Sequence, residues 1–245
     1  MKQGIFKILE NTALKENVHK LVISGDTSGV TRAGMFINIK IDNCFLRRPV
    51  SVCDWDGDKI TVIYKTVGRG TEILSAMQPG ECLDVLTGLG NGFDLSLSGD
   101  KPLLIGGGLG LTPMYCLAKA LIKEGRHVNV ILGFNTADEV FYEEEFKALG
   151  ASVTVCTVDG SYGIKGYVTE AMKGIDYSHF YTCGPEPMFK AIFKESRTSG
   201  QFSFEARMGC GFGACMGCSC KTVTGYKRIC KDGPVLMKEE IIWAD

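Results

Sequence analysis

The residues best suited to chemistry stand together late in the chain: Cys210, Cys215 and Cys218 at C-x4-C-x2-C, with Cys230 twelve positions further on. This is the ligand spacing of plant-type clusters of two irons and two sulfides. Each iron needs two sulfur ligands, so the thiolates must converge from one wrapping loop. Gly209, Gly211, Gly213 and Gly217 interleave with them, and glycine permits positive φ and close approach of backbone N–H groups to sulfur. Two other chemistries also use sets of cysteines. Structural zinc sites usually pair short C-x2-C knuckles, and only one, Cys215/Cys218, is present besides the five-residue step. Disulfides require an oxidising compartment, for which nothing else in the chain argues. Cys220 is left out of the ligand set, its side chain expected to point elsewhere.

Three further stretches carry ligand chemistry. Arg48-Pro49-Val50-Ser51 sets a guanidinium and a hydroxyl three residues apart at a strand start, where they could share a phosphate or a flavin ring. Gly68-Arg69-Gly70-Thr71 leads into a short helix and offers free N–H groups and a positive helix end to a pyrophosphate. Gly106-Gly107-Gly108-Leu109-Gly110-Leu111-Thr112-Pro113 follows the apolar strand Pro102–Ile105. Leu111 stands where a G-x-G-x-x-G fingerprint has its third glycine, so that fingerprint fails, yet strand, glycine loop and helix in this order still make a dinucleotide pocket. Gly107, Gly108, Gly110 and Thr112 are its candidate contacts. In an open parallel sheet, ligands bind beyond the strand C-termini, which places the turn Cys183-Gly184-Pro185 after strand 179–182 across from that loop. Asn135-Thr136-Ala137-Asp138-Glu139 follows the second strand. A 2′-phosphate would want an arginine there, so NAD is preferred over NADP.

These groups must be held by two kinds of scaffold. From Ile5 to Leu97 the chain reads as short strands rich in β-branched residues: 18–24, 35–41, 49–53 and 59–65, broken by Gly-Asp, Ser-Gly and Asp-Gly turns. Such spacing suggests a small closed antiparallel barrel. One helical patch, 71–77, is stopped by Pro79-Gly80, with Thr71 as its expected N-cap. After Ser96-Leu97-Ser98-Gly99-Asp100-Lys101 the pattern turns to βα units, with Pro113 expected at the first helical position, strands over 127–134 and 151–158, and a helix over 143–149. The expected organisation is a multidomain β plus α/β protein: a β-barrel domain over 1–98, a parallel-sheet nucleotide-binding domain over 99–200, and a small cluster domain over 201–245.

Composition narrows the classes further. The chain has 245 residues, 45% hydrophobic and 22% charged, with a net charge of -1, and so no electrostatic footprint for nucleic acid or an acidic membrane. No run approaches the ~18 apolar residues of a membrane span, and the first ten residues lack a signal-peptide core. The expected location is the cytoplasm. Of eleven cysteines, five fall between Cys210 and Cys230; the other six sit in apolar surroundings and read as small buried hydrophobes. Three histidines, widely scattered, suggest no Ser/His/Asp or metal-water centre, and no catalytic acid, base or nucleophile is assigned.

The barrel with its Arg-Pro-Val-Ser and Gly-Thr, the glycine loop and the Cys-Gly-Pro-Glu-Pro turn together resemble the ferredoxin–NADP reductase superfamily. Glu205-Ala206-Arg207-Met208-Gly209-Cys210 through Cys220, then Tyr226-Lys227-Arg228-Ile229-Cys230-Lys231-Asp232-Gly233-Pro234-Val235, is similar to the electron-transfer subunits of type B dihydroorotate dehydrogenases. That resemblance covers nearly the whole chain. It implies FAD in the first domain, on Arg48, Pro49, Val50, Ser51, Ile63, Tyr64, Lys65, Gly70 and Thr71. It implies NAD(H) on the second domain and a 2Fe-2S cluster on Cys210, Cys215, Cys218 and Cys230. It also implies a separate FMN-containing catalytic subunit, in a heterotetramer of two of each, within pyrimidine biosynthesis. The isolated chain would then show only NADH diaphorase activity. NAD exchanges electrons in pairs and a cluster singly, and a flavin converts between them. Met208, Phe212 and Met216, interleaved with the cysteines, are expected to form an apolar docking patch. Two other readings stand beside this one: a flavin and iron–sulfur reductase subunit serving a ferredoxin, sulfite or hydrogenase partner, and a zinc-stabilised interaction protein without activity.

Overall fold

The computed structural model describes residues 1–243. Its first part is a closed six-stranded antiparallel barrel of strands β1 (Lys2–Lys15), β2 (Val18–Ser24), β3 (Phe36–Ile39), β4 (Arg48–Asp56), β5 (Lys59–Lys65) and β6 (Cys82–Leu89), in the order β1-β2-β5-β4-β3-β6. Alternation builds its interior. Phe6 and Ile8, Leu21 and Ile23, Ile37 and Ile39, Ile60 and Val62, and Leu83 and Val85 are all buried in one cluster, as expected when residues two apart share a strand face. The strand β1 closes the ring by pairing its first half, Lys2–Lys7, with β6 and its second half, Lys7–Lys15, with β2. Helix α1 (Arg69–Ala76) plugs one opening with the buried Leu74.

Thr71 does not cap α1 as expected. Gly68 is the N-cap, and the Thr71 hydroxyl, one turn in, accepts hydrogen bonds from the N–H groups of Val67 (2.9 Å) and Gly68 (3.3 Å). A threonine three residues inside a helix can reach back to the orphan donors before it.

The second part is a seven-stranded sheet in the order β10-β9-β8-β7-β11-β12-β15. It comprises β7 (Pro102–Gly107), β8 (Asn129–Phe134), β9 (Ser152–Thr157), β10 (Ile164–Lys165), β11 (His179–Cys183), β12 (Gly200–Ser203) and the late strand β15 (Val235–Met237). All pairs are parallel except β12 with β15. Helices α2 (Leu111–Lys123), α3 (Glu143–Ala148), α4 (Val168–Met172) and α5 (Glu186–Glu195) cover its faces. Helix α2 begins at Leu111 with Pro113 as its third residue; a missing N–H there still removes only an orphan donor.

Barrel and sheet share a packed seam. Trp55 of the barrel packs against both cores, and Lys119 of α2 pairs with Asp54 at 2.8 Å. The chain between β12 and β15 forms the cysteine loop and a hairpin, β13 (Ser219–Thr222) with β14 (Gly225–Arg228). Strand β12 straddles the expected 200/201 boundary, and β15 returns to the sheet edge. The cysteine-bearing segment is thus an excursion from the sheet.

Candidate functional site

A cavity of about 360 Å³ opens where barrel, α2 and the chain after β12 meet. Its wall contains Arg48, Pro49, Val50, Ser51, Ile63, Tyr64, Lys65 and Thr71, eight of the nine flavin contacts expected from sequence. The ninth, Gly70, stands just behind: a Cβ there would lie 2.3 Å from Arg48 Nε and 2.4 Å from Nη2. Glycine at 70 therefore lets the guanidinium lie flat across the start of α1. Tyr64 is fixed by its hydroxyl, which donates to Asn11 Oδ1 at 2.9 Å, while Asn11 Nδ2 donates to the carbonyls of Leu74 and Met77 at the end of α1. Burial pushes this phenol up to about 12, so it stays a neutral donor.

Sequence reasoning missed the other half of the wall: Phe36, Ser203, Glu205, Met208 and Pro234. Thr112, expected among the nucleotide contacts, lines this cavity and not the nucleotide one, because the start of α2 stands between the two. Phe36 and Ser203 lie in no motif, and Glu205, Met208 and Pro234 lie in the cysteine-bearing stretch, whose spacing reports the cluster; topology is what brings them to this cavity. Glu205 is open to solvent through the cavity mouth, yet protein surrounds it closely enough that desolvation pushes its carboxyl above the ordinary range.

A second cavity, of about 380 Å³, lies at the C-terminal edge of the sheet. Gly107, Gly108 and Pro185 line it as expected, together with Phe134, Asn135, Glu139, Tyr167 and Met188. Gly110 and Cys183 are buried behind it. A Cβ on Gly110 would meet the Cys183 carbonyl oxygen at 2.0 Å and Gly184 N at 2.7 Å, so these residues bring loop and turn into contact. Burial raises the Cys183 thiol well above its ordinary range. At the end of β8 the Glu139 carboxylate accepts hydrogen bonds from Asn135 N–H and Nδ2, both at 2.9 Å. That wall is acidic and would repel a 2′-phosphate. The 3-10 turn Gly108–Gly110 separates the cavities, with Gly108 on the nucleotide side and Leu109 on the other.

The four cysteines gather in two pairs. Cys210 N–H donates to Cys215 Sγ at 3.4 Å; in return Cys210 Sγ accepts from the N–H groups of Phe212 (3.5 Å), Ala214 (3.2 Å) and Cys215 (3.4 Å). Burial works against a Cys210 thiolate, but these donors outweigh it and hold the thiol below its ordinary range. Cys230 N–H donates to Cys218 Sγ at 3.4 Å, and burial together with the neighbouring Cys218 raises the Cys230 thiol. Two irons with two thiolates each fit this arrangement. A tetrahedral zinc needs all four sulfurs around one point, whereas the contacts here join Cys210 with Cys215 and Cys218 with Cys230. Cys220 belongs to neither pair. Cys218 precedes β13, in the turn closed by Ser219 N–H to the Met216 carbonyl, whereas Cys220 lies on β13 opposite Lys227.

The loop is braced from both sides. Arg228 Nη1 donates to the Gly213 carbonyl at 2.8 Å while its Nε pairs with Asp232 at 3.0 Å. On the barrel, Asn91 exchanges hydrogen bonds with Val235 (2.8 and 3.0 Å) and donates its N–H to the Gly233 carbonyl at 2.7 Å. Of the expected docking residues, Met208 turns inward to the first cavity, whereas Phe212 and Met216 are 42% and 54% exposed.

The barrel, the sheet and their two cavities define a flavin and nicotinamide reductase of the ferredoxin–NADP reductase type, carrying an added cysteine loop. Solved structures with this fold include an NADH-dependent reduced ferredoxin-NADP oxidoreductase studied for flavin-based electron bifurcation (TM-score 0.88, 29% identity, covering 98% of this chain and 90% of that one). They also include a ferredoxin NADP+ reductase from Neisseria gonorrhoeae with bound FAD and NADP (TM-score 0.69, 20% identity, 80% and 90%). Residues 104–194 match the oxidoreductase NAD-binding domain family, and residues 205–242 match the iron-sulfur cluster binding domain of dihydroorotate dehydrogenase B. Relatives named dihydroorotate dehydrogenase B (NAD(+)), electron transfer subunit, are 41% identical in Geobacillus sp. strain WCH70 (99% of each chain) and in Fusobacterium nucleatum (95% of each). The chain belongs to this family of electron transfer subunits. Its cofactors are FAD, an iron–sulfur cluster and NAD.

Proposed function

We propose that this chain passes electrons from the FMN of a dihydroorotate dehydrogenase catalytic subunit, by way of a 2Fe-2S cluster and FAD, to NAD+. One observation carries the reading: Met208 lines the flavin cavity and Cys210 is the first thiol of the loop. Two residues span at most about 7 Å, so flavin and cluster sites adjoin. When bound, the cluster supplies single-electron exchange and the flavin joins single electrons to the pairs that nicotinamide takes. The protein's own part is to hold and orient. Arg48, Ser51 and Thr71 offer a phosphate or flavin polar partners, Ile63, Tyr64 and Lys65 form the adjoining wall, and Gly107, Gly108 and Pro185 shape the nucleotide site. We assign FAD to residues 1–98, NAD to 99–200 and the cluster to 201–245, of which 244 and 245 lie outside the described residues. Strands β12 and β15 of the last range serve the middle sheet. Among the described residues no helix is long and apolar enough to cross a membrane. The abundance of free thiols suits a reducing compartment, and we place the protein in the cytoplasm.

Purified without oxygen, the chain is expected to contain about two irons and about one FAD and to reduce dyes with NADH at least about tenfold more efficiently than with NADPH. Zinc in place of iron, or an NADPH preference, would reject the assignment.

The partner is proposed to dock on the exposed side of the loop, where Cys215, Phe212 and Met216 reach solvent, in an assembly of two of each subunit. Phe212→Asp is expected to abolish co-purification with the FMN subunit while leaving the visible spectrum intact, because a charge at a desolvated interface centre costs several kcal/mol. Retention of the complex would move the docking surface elsewhere. Capture of a ferredoxin instead of the FMN subunit would change the partner.

A further inference from the structure

Phe36 and Asn38 stand two positions apart on β3, on one face of the strand. Phe36 lines the flavin cavity. Asn38 is 1% exposed and donates through Nδ2 to the backbone carbonyl of Cys210 at 3.2 Å. The partner is a carbonyl, which only the amide's NH2 end can serve. Among the described residues its Oδ1 is buried without a hydrogen-bond partner. A leucine of similar size would avoid that penalty. An amide is thus kept inside an apolar wall for one bond, and that bond goes to a cysteine of the loop. A carbonyl and the next N–H point to opposite sides of a trans peptide, so anchoring the Cys210 carbonyl turns the Gly211 N–H away from the barrel. The approach is so close that a Cβ on Gly211 would lie 2.3 Å from Asn38 Nδ2. The N–H groups of Phe212, Ala214 and Cys215 that reach Cys210 Sγ all hang on the peptides after this anchored one.

We propose that Asn38 is a positioning residue that fixes the Cys210 side of the cluster against the flavin barrel and, through the N–H donors at Cys210 Sγ, sets the cluster's potential. The inference rests on the iron–sulfur reading above and adds the barrel residue responsible. Hydrogen bonds to sulfur favour the more negative, reduced cluster, so loosening them lowers the midpoint.

The test compares the full chain with Asn38→Leu, both purified without oxygen. It reads the electron paramagnetic resonance of the reduced cluster, its midpoint in a redox titration, iron loss to a chelator, and FAD content. The expected result is shifted g-values, a lower midpoint and iron loss roughly fivefold faster, the weight of one ordinary hydrogen bond. FAD content and NADH-driven dye reduction should be unchanged. Parental g-values, midpoint and iron loss in Asn38→Leu would overturn the proposal, as would loss of FAD together with the cluster, which would make Asn38 a support of the barrel alone. If Asn38→Leu does not fold, Asn38→Ser removes the same donor reach and is read by the same quantities. A parent chain lacking iron would overturn the functional reading and this inference with it; an iron-loaded parent matched by its variant overturns this inference alone.

Discussion

Cys218→Ala is expected to strip the chain of its iron–sulfur absorption and to lower dihydroorotate-dependent NAD+ reduction by the complex at least about a hundredfold, since two-electron and one-electron carriers would lose their link. NADH-driven dye reduction should persist within about twofold, because the two cavities share no wall residue with Cys218 and hydride exchange needs only flavin and nicotinamide. Cys218 is the sharper choice than Cys215. It is 6% exposed and packed with Phe36, Leu86, Leu89 and Cys230, so solvent cannot easily supply a replacement ligand. Cys220→Ala is the matched control. It lies outside both thiol pairs and should keep a full complement of iron. Iron retained in Cys218→Ala, or lost in Cys220→Ala, would show that the wrong thiols have been paired.

What the sequence made legible follows from how local each signal is. The cysteine spacing, the glycine loop and the Arg-Pro-Val-Ser run are contiguous, and each reports chemistry within one turn or one strand start. Strands such as 18–24 and 59–65 were readable because β-branched residues crowd into seven positions, Val18, Val22 and Ile23 in one and Ile60, Thr61, Val62 and Ile63 in the other. Strand β1 was not, because its apolar residues fall at Ile5, Phe6, Ile8 and Leu9, a doublet pattern that arises where pairing shifts from β6 to β2 near Ile8. Thr71 was misplaced for a related reason: a threonine serves at the N-cap, where it accepts from N–H groups that follow it, and at the third helical position, where it accepts from those that precede it, so residue type alone does not choose between the two. The far wall of the flavin cavity was illegible on principle. Ser203, Glu205 and Met208 meet Arg48 only because β12 lies beside β11, and β15 returns across the cluster excursion to pair with β12. The same closure brings Asn38 and Asn91 to the cysteine loop, contacts spanning well over a hundred residues of sequence.

Arg48→Ala is expected to weaken FAD binding roughly 10- to 150-fold, the loss of charge-assisted hydrogen bonds each contributing about 1.5–3 kcal/mol. The argument is geometric. The guanidinium is held between the Leu46 carbonyl, to which Nη1 donates, and the start of α1 at Gly70. It thus presents its planar fork beside the free N–H groups of a helix start, where a pyrophosphate can take both. Gly70→Ala should act in the same direction with Arg48 intact, because the added methyl occupies the guanidinium's place. Arg48→Lys should fall between, since it restores charge without the fork. Fluorescence titration of FAD into the flavin-free chain reads all three. If the weakening comes from the displaced fork, combining Gly70→Ala with Arg48→Ala should cost little more than either alone, for neither change can remove a contact the other has already abolished. Additive losses would mean that glycine and arginine serve separate parts of the ligand, and FAD held at full occupancy by Arg48→Ala would place the phosphates elsewhere in the cavity.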